Sequence, residues 1–139
     1  GNVGAIVRVA DACGATGVVC GGGCADPFGW KALRGSMGSG LRLPVARPPD
    51  MQAVFEHMGR RGFALVAATG AGGVPQHEVD WTRSTALLVG NEGAGLSDDL
   101  LGIAGTRVAI PMRPGVDSLN VAVAAGILLY EASRQRGAR

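Results

Sequence analysis

The chain has 139 residues, 47% of them hydrophobic and 17% charged; this suits one domain with a sizeable core and excludes intrinsic disorder. A net charge of +2 excludes a polybasic, histone-like chain. Twenty-four glycines follow no collagen period and sit at the ends of apolar runs, as the turns of an α/β protein do.

In chain order, Asn2 is placed to cap a first helix in which Ala5, Ile6, Val9, Ala10 and Cys13 recur at helical spacing, and Gly14 stops it. Residues 17–20 are a short β run, 21–29 a loop, 30–37 a short helix and 41–45 a second strand candidate. Asp50 caps a helix carrying Met51, Val54, Phe55 and Met58, ended by Gly59 or Gly62. Residues 63–67 read as a third strand, 69–80 as a loop and 85–89 as a fully apolar fourth strand. Ser97 caps a short helix through Leu101, 107–110 is a fifth strand, and Ser118 opens a long helix to about Arg134. Alternating helices and continuous apolar strands imply an α/β fold with a parallel sheet flanked by helices. Because such a chain normally begins with a strand, a first strand is expected ahead of residue 1.

Ligands of such sheets bind at the carboxyl ends of the strands, which singles out residues 90–95 and 111–117. The first loop is glycine-rich but matches neither the dinucleotide nor the P-loop pattern. Glu92 in its middle would repel a phosphate. Composition there leaves two readings open, a plain tight turn or a site for a phosphate-free ligand with hydroxyls or positive charge, of which S-adenosylmethionine is an example. Ser118 reads as an N-cap, and Asn120 after it is not explained by helix propensity. That helix end suits a carboxylate or an RNA phosphate. Arg8, inside an apolar helix, either snorkels to solvent or serves a site.

The odd count of cysteines, Cys13, Cys20 and Cys24, argues against a disulfide scaffold. His57 and His77 do not complete a ligand set with Cys20 and Cys24, so reduced buried thiols and no metal are expected. No apolar run reaches 18 residues and no signal peptide is evident, so no membrane span and a cytoplasmic location are expected. Lys31 is the only lysine. The arginine bias follows from GC-rich coding, though arginine forks also suit phosphate recognition.

Three ordered motifs resemble those of the SpoU (TrmH-type) RNA ribose 2′-O-methyltransferases of the SPOUT superfamily. The first runs from Asn2 through Arg8 and Ala10 to Gly14. The second is Leu88-Val89-Gly90-Asn91-Glu92-Gly93-Ala94-Gly95-Leu96. The third is Ile110-Pro111-Met112 with Ser118-Leu119-Asn120-Val121-Ala122-Val123-Ala124, ending near Tyr130-Glu131. The stretch from Lys31 to Gly38 also looks like a helix of that family. The resemblance covers nearly the whole chain. It implies a catalytic domain over 1–139 with a C-terminal deep trefoil knot, which no periodicity argument would propose. It further implies S-adenosylmethionine as cofactor and a homodimer whose site is completed across the interface.

By position, the resemblance places Gly90, Ile110 and Leu119 against the cofactor, with Thr69, Asn91 and Met112 as weaker candidates. Asn2, Arg8, Glu92, Ser118 and Asn120 match the catalytic positions. Methyl transfer from a sulfonium releases a neutral thioether, so the difficulty is the poor nucleophile, a ribose 2′-OH that must lose its proton. Arg8 is the essential residue, as base, through a phosphate relay or by stabilising the alkoxide; a free guanidine is costly. No RNA-binding domain is evident. With aromatics at 4%, a stacking platform is not expected, and RNA contact falls to Arg34, Arg42, Arg60 and Arg61. Ribosomal RNA is the first expected substrate and transfer RNA the second. The competing readings are a non-catalytic cofactor- or RNA-binding module of the same fold and an unrelated nucleotide-binding domain, which Glu92 disfavours.

Overall fold

The computed structural model describes residues 1–91 and 93–137. Along the chain come α1 (Asn2–Ala12), β1 (Val18–Val19), α2 (Trp30–Gly35), α3 (Ser39–Arg42), β2 (Val45–Ala46) and α4 (Met51–Arg60). Then follow β3 (Ala64–Ala68), β4 (Val74–Pro75), a 3-10 turn (Gln76–Glu78), β5 (Thr85–Leu88), α5 (Asp98–Ile103), β6 (Thr106–Ala109) and α6 (Val121–Gln135). The expected α/β architecture is present. β1 and β2 pair in parallel, Val18 with Val45 and Val19 with Ala46. The other four strands form a parallel sheet in the order β4-β6-β3-β5. Thus β6, last in sequence, lies between β3 and β4.

Several local rules act as the sequence suggests. Asp50 caps α4, its Oδ1 accepting from Gln52 N and Ala53 N at 3.0 and 3.3 Å. Ser97 Oγ accepts from Leu100 N at 3.3 Å. Of the two candidate stops after α4, Gly62 is the one with positive φ, at 76°.

Four expectations are corrected. Asn2 does not cap α1: Gly1 does, its carbonyl accepting from Ala5 N at 3.1 Å, and Asn2 is the first helical residue. The strand expected over 41–45 is only Val45–Ala46, because Leu41 and Arg42 belong to α3. Tertiary bonds hold that turn: Ser39 Oγ donates to Asp11 Oδ2 at 2.7 Å, and Arg42 Nη2 donates to the same oxygen at 3.0 Å. Leu41 is 85% exposed, so its apolar character misled the strand reading. The 69–80 loop contains β4 and the 3-10 turn, since Val74 and Pro75 pair with Val108 and Ala109. Finally, Asn120, not Ser118, caps α6; its Oδ1 accepts from Ala122 N at 2.9 Å and Val123 N at 3.2 Å.

Two apolar clusters hold the layers together. Val66, Val79, Trp81, Val108 and Leu128 fill the space between the four-stranded sheet and α6. Val7, Ala10 and Leu43 join α1 to the small sheet, with Leu129 of α6 packed against them. Trp81 is buried because its polar groups are satisfied. Its Nε1 donates to Gln76 O, and its backbone N donates to Gln135 Oε1, both at 2.9 Å. Gln135 Nε2 in turn donates to Val79 O at 2.9 Å, so one amide ties α6 to the segment before β5. α1 meets α2 at a close backbone approach, where a Cβ on Gly4 would lie 2.5 Å from Ala32 O.

Leu128→Ala should lower the unfolding free energy in urea titration by about 2–5 kcal/mol, the usual cost of emptying a closed core site. The Ser39 hydroxyl, then Arg42, hold the Asp11 carboxyl below its usual range. Its stabilisation is therefore complete above the unfolded-state value and disappears as pH falls through the lower folded one. Asp11→Asn should lower the melting temperature at neutral pH and flatten its acid-side decline.

Candidate active site

β3, β5 and β6 are parallel neighbours, so their carboxyl ends lie along one edge of the sheet. Thr69 follows β3, Gly90 and Asn91 follow β5, and Ile110 and Met112 follow β6. Five of the six cofactor candidates therefore meet at one edge, although they are spread over forty positions of sequence. Thr69 is fastened to the next strand: its N and Oγ1 both donate to Val108 O, at 2.9 and 3.4 Å. A Cβ on Gly70 would be 3.7 Å from Asp117 O. The segment leading to Leu119, the sixth candidate, thus passes over the end of β3. Ile110, Met112 and Leu119 are half-buried.

The glycine loop closes on itself. Gly95 N donates to Asn91 O at 2.8 Å, and the two residues form an antiparallel bridge. A Cβ on Gly90 would stand 2.5 Å from Leu96 N and nearer still to the Gly95 carbonyl. Gly90 is thus required by the loop's own backbone packing, whatever the loop binds. Glu92, singled out in the sequence, lies outside the described residues.

Asn2 and Asn120, 118 positions apart, share a hydrogen bond: Asn120 Nδ2 donates to Asn2 Oδ1 at 3.1 Å. The cap explains it. Asn120 Oδ1 is engaged by the first turn of α6, which turns the amide nitrogen toward the start of α1. Gly126 of α6 packs against Val9 of α1, 3.5 Å from a Cβ at that glycine to Val9 Cγ2, and this contact sets the two helix starts side by side.

Arg8 is not drawn into this group. It is exposed on α1, about 9 Å along the axis from Asn2 at 1.5 Å per residue, and forms no hydrogen bond or ion pair with another described residue. Ser118 is exposed and, displaced from the cap, stands two residues before it. Sequence reasoning reads 21–29 as a loop but does not connect it with Asn91, although a Cβ on Gly23 would be 3.9 Å from Asn91 Nδ2. Its signal was available, three consecutive glycines directly after a strand. Among the described residues no group of three or more His, Cys, Asp or Glu is arranged to hold a metal. Burial pushes the Cys20 thiol up, with Cys24 beside it adding to the shift. No described helix is long and apolar enough to cross a membrane.

Loops gathered at the carboxyl ends of adjacent parallel strands mark that sheet edge as the candidate ligand site of an α/β domain. The chain belongs to the SpoU rRNA methylase family, whose pattern matches residues 1–130. It is 39% identical over 130 residues to RlmP of Bacillus subtilis, named as a 23S rRNA guanosine 2′-O-methyltransferase, covering 94% of this chain and 52% of that one. It is 41% identical over 141 residues to a 23S rRNA uridine 2′-O-methyltransferase of Streptomyces viridochromogenes, covering 98% and 49%. The crystal structure of AviRb from Streptomyces viridochromogenes, a SpoU methyltransferase in complex with AdoMet, superposes with a TM-score of 0.91 at 40% identity, covering 97% of this chain and 55% of that one. The chain spans about half the length of the curated relatives it matches.

Asn120→Asp keeps the capping oxygen but removes the amide donor to Asn2. It should leave stability within about 0.5 kcal/mol by thermal unfolding, whereas Asn120→Ala should cost about 1 kcal/mol. Gly90→Ala should reduce binding of S-adenosylhomocysteine in calorimetry by more than tenfold, because the loop cannot close around the added methyl.

Proposed function

We propose that this chain is the catalytic domain, over 1–139, of an S-adenosylmethionine-dependent methyltransferase acting on a ribose 2′-OH in RNA, ribosomal RNA first. The observation that carries the reading is the Asn2–Asn120 hydrogen bond. It joins the first and third family motifs beside the sheet edge where Gly90 and Ile110 meet. The AdoMet-bound relative and the two relatives named as 23S rRNA 2′-O-methyltransferases supply the cofactor and the substrate class. The residues fit that cofactor: half-buried Ile110, Met112 and Leu119 offer apolar contact, and the Gly90–Asn91 and Thr69 loops offer backbone and amide groups. The bound cofactor supplies an electrophilic methyl on a sulfonium.

The chain's own residues then have two tasks. Asn2 and Asn120 orient the ribose, since alignment of the reacting atoms supplies much of such a rate. Arg8 would stabilise the oxyanion that develops as the 2′-OH gives its proton to water, because guanidinium groups keep their protons in proteins and cannot themselves accept it. Glu92 and Ser118 complete the motif-derived group.

Arg8 is exposed on α1, six residues beyond Asn2, and that exposure favours a homodimer in which the partner subunit completes the site. Exposed Val123, Ile127 and Tyr130 lie on one face of α6 at the spacing of a contact stripe, and this face is the proposed interface. The placement of β6 between the consecutive strands β3 and β4 supports a deep trefoil knot formed by threading β6 through the 69–73 connection. A ribosomal RNA substrate favours a cytoplasmic location.

The test is tritium transfer from labelled S-adenosylmethionine to ribosomal and transfer RNA from a host lacking the gene, using the full-length protein. Label in alkali-resistant dinucleotides is expected. Cofactor binding without label would leave the non-catalytic module, and binding of ATP in place of S-adenosylhomocysteine would overturn the cofactor assignment. Arg8→Ala should abolish turnover, by at least a hundredfold, while sparing S-adenosylhomocysteine affinity; surviving turnover would remove Arg8 from the mechanism.

A further inference from the structure

The scarcity of aromatics argued against any stacking surface, but it is position that decides. The chain has two tryptophans in opposite situations. Trp81 is 1% exposed and Trp30 is 74% exposed. An exposed tryptophan forfeits a large burial free energy, and nothing in the packing of α2 requires one at Trp30, since Ala32 and Gly35 carry the contacts to α1. The surroundings are basic. The Arg34 guanidinium lies over the Trp30 ring, 5.8 Å from its centroid, and Lys31 is exposed next to it. Phe28, 53% exposed, precedes them by one short turn. A shallow groove of about 440 Å³ runs between Trp30 and the start of α1, lined by Gly1, Val3, Asp26 and Lys31 among others.

We infer that Trp30 is a base-stacking platform for an unpaired nucleotide of the RNA, with Arg34 and Lys31 holding the flanking phosphates. Three points select RNA as the occupant. The ring is bordered by cations, which suit a polyanion. A guanidinium fixed over one part of the ring leaves the remainder open to a base while placing charge at phosphate distance. The platform is also beside the proposed site: α2 packs on the first turn of α1, where a Cβ on Gly35 would be 3.7 Å from Gly1 O, and that turn carries Asn2. A base held there is a neighbour of the target ribose, so the platform would select unpaired segments over duplex. The inference rests on the methyltransferase reading for its substrate, but its binding test stands apart from catalysis.

The experiment uses the full-length protein and a short oligoadenylate, with inorganic polyphosphate as a charge-only probe. Oligoadenylate should quench the tryptophan emission, and Trp30→Phe should abolish that quench. Polyphosphate should not quench it. Trp30→Ala should weaken oligoadenylate binding about tenfold and raise KM for ribosomal RNA with kcat little changed, Trp30→Phe should restore most of the loss, and S-adenosylhomocysteine affinity should stay within about twofold. Equal quenching by polyphosphate, or none by either probe, would overturn the platform, as would a Trp30→Ala variant that changes oligomeric mass and not RNA affinity. If oligoadenylate quenches but no RNA is methylated, the methyltransferase reading fails and the platform stands. If RNA is methylated with an unchanged KM in Trp30→Ala and no quenching, only the platform fails.

Discussion

Strand β6 occupies the slot between β3 and β4, and most of the molecule follows from that placement. β3 and β4 are consecutive in sequence, yet they are separated by a strand formed about thirty residues later. The insertion puts Val108 at the centre of the core, with no exposure, against Val66 and Leu128. It also gives the Thr69 backbone a partner in Val108 O. Because β5 lies on the other side of β3, three loops that are remote in sequence must end at one edge. A site for a ligand of several chemical parts then needs no long side chains; the backbone of short loops reaches it.

The second constraint is the meeting of the two helix starts. α6 begins where an asparagine caps it, and the same side chain bonds the first turn of α1. One residue therefore serves the local stability of α6 and its link to α1. Its capping oxygen is held by the helix, so the direction of its amide nitrogen is set by backbone and not by a free rotamer. Such double use explains why asparagine stands at this position although serine or aspartate would cap as well.

The glycines divide into those that end helices and those that permit contact. Gly90 belongs to the second kind, since a Cβ there would overlap the Gly95 carbonyl. Composition alone would class it with the others, as the plain reading of a tight turn does. In the proposed reading the turn and the site are the same object. The buried Cys20 is likewise a packing element, and the arginine-rich surface is uneven, with Arg42 committed to Asp11.

By itself the sequence determined the elements that local physics controls: the Asp50 and Ser97 caps, the apolar third and fourth strands, and the motifs that mark the family. Each depends on residues within a few positions of one another, which is why spacing reveals it. Tertiary structure decided the rest. Leu41 entered a helical turn because Ser39 and Arg42 are tied to Asp11, far away in sequence. Val74 became a strand because β6 arrives beside it, and Asn2 lost its capping role to Gly1 and took Asn120 as partner. Trp30 could be judged exposed only once α2 was seen to pack through its small residues. In every such case the deciding partner lies about thirty or more positions away or is a matter of burial, and neither leaves a period or a spacing for the sequence to display.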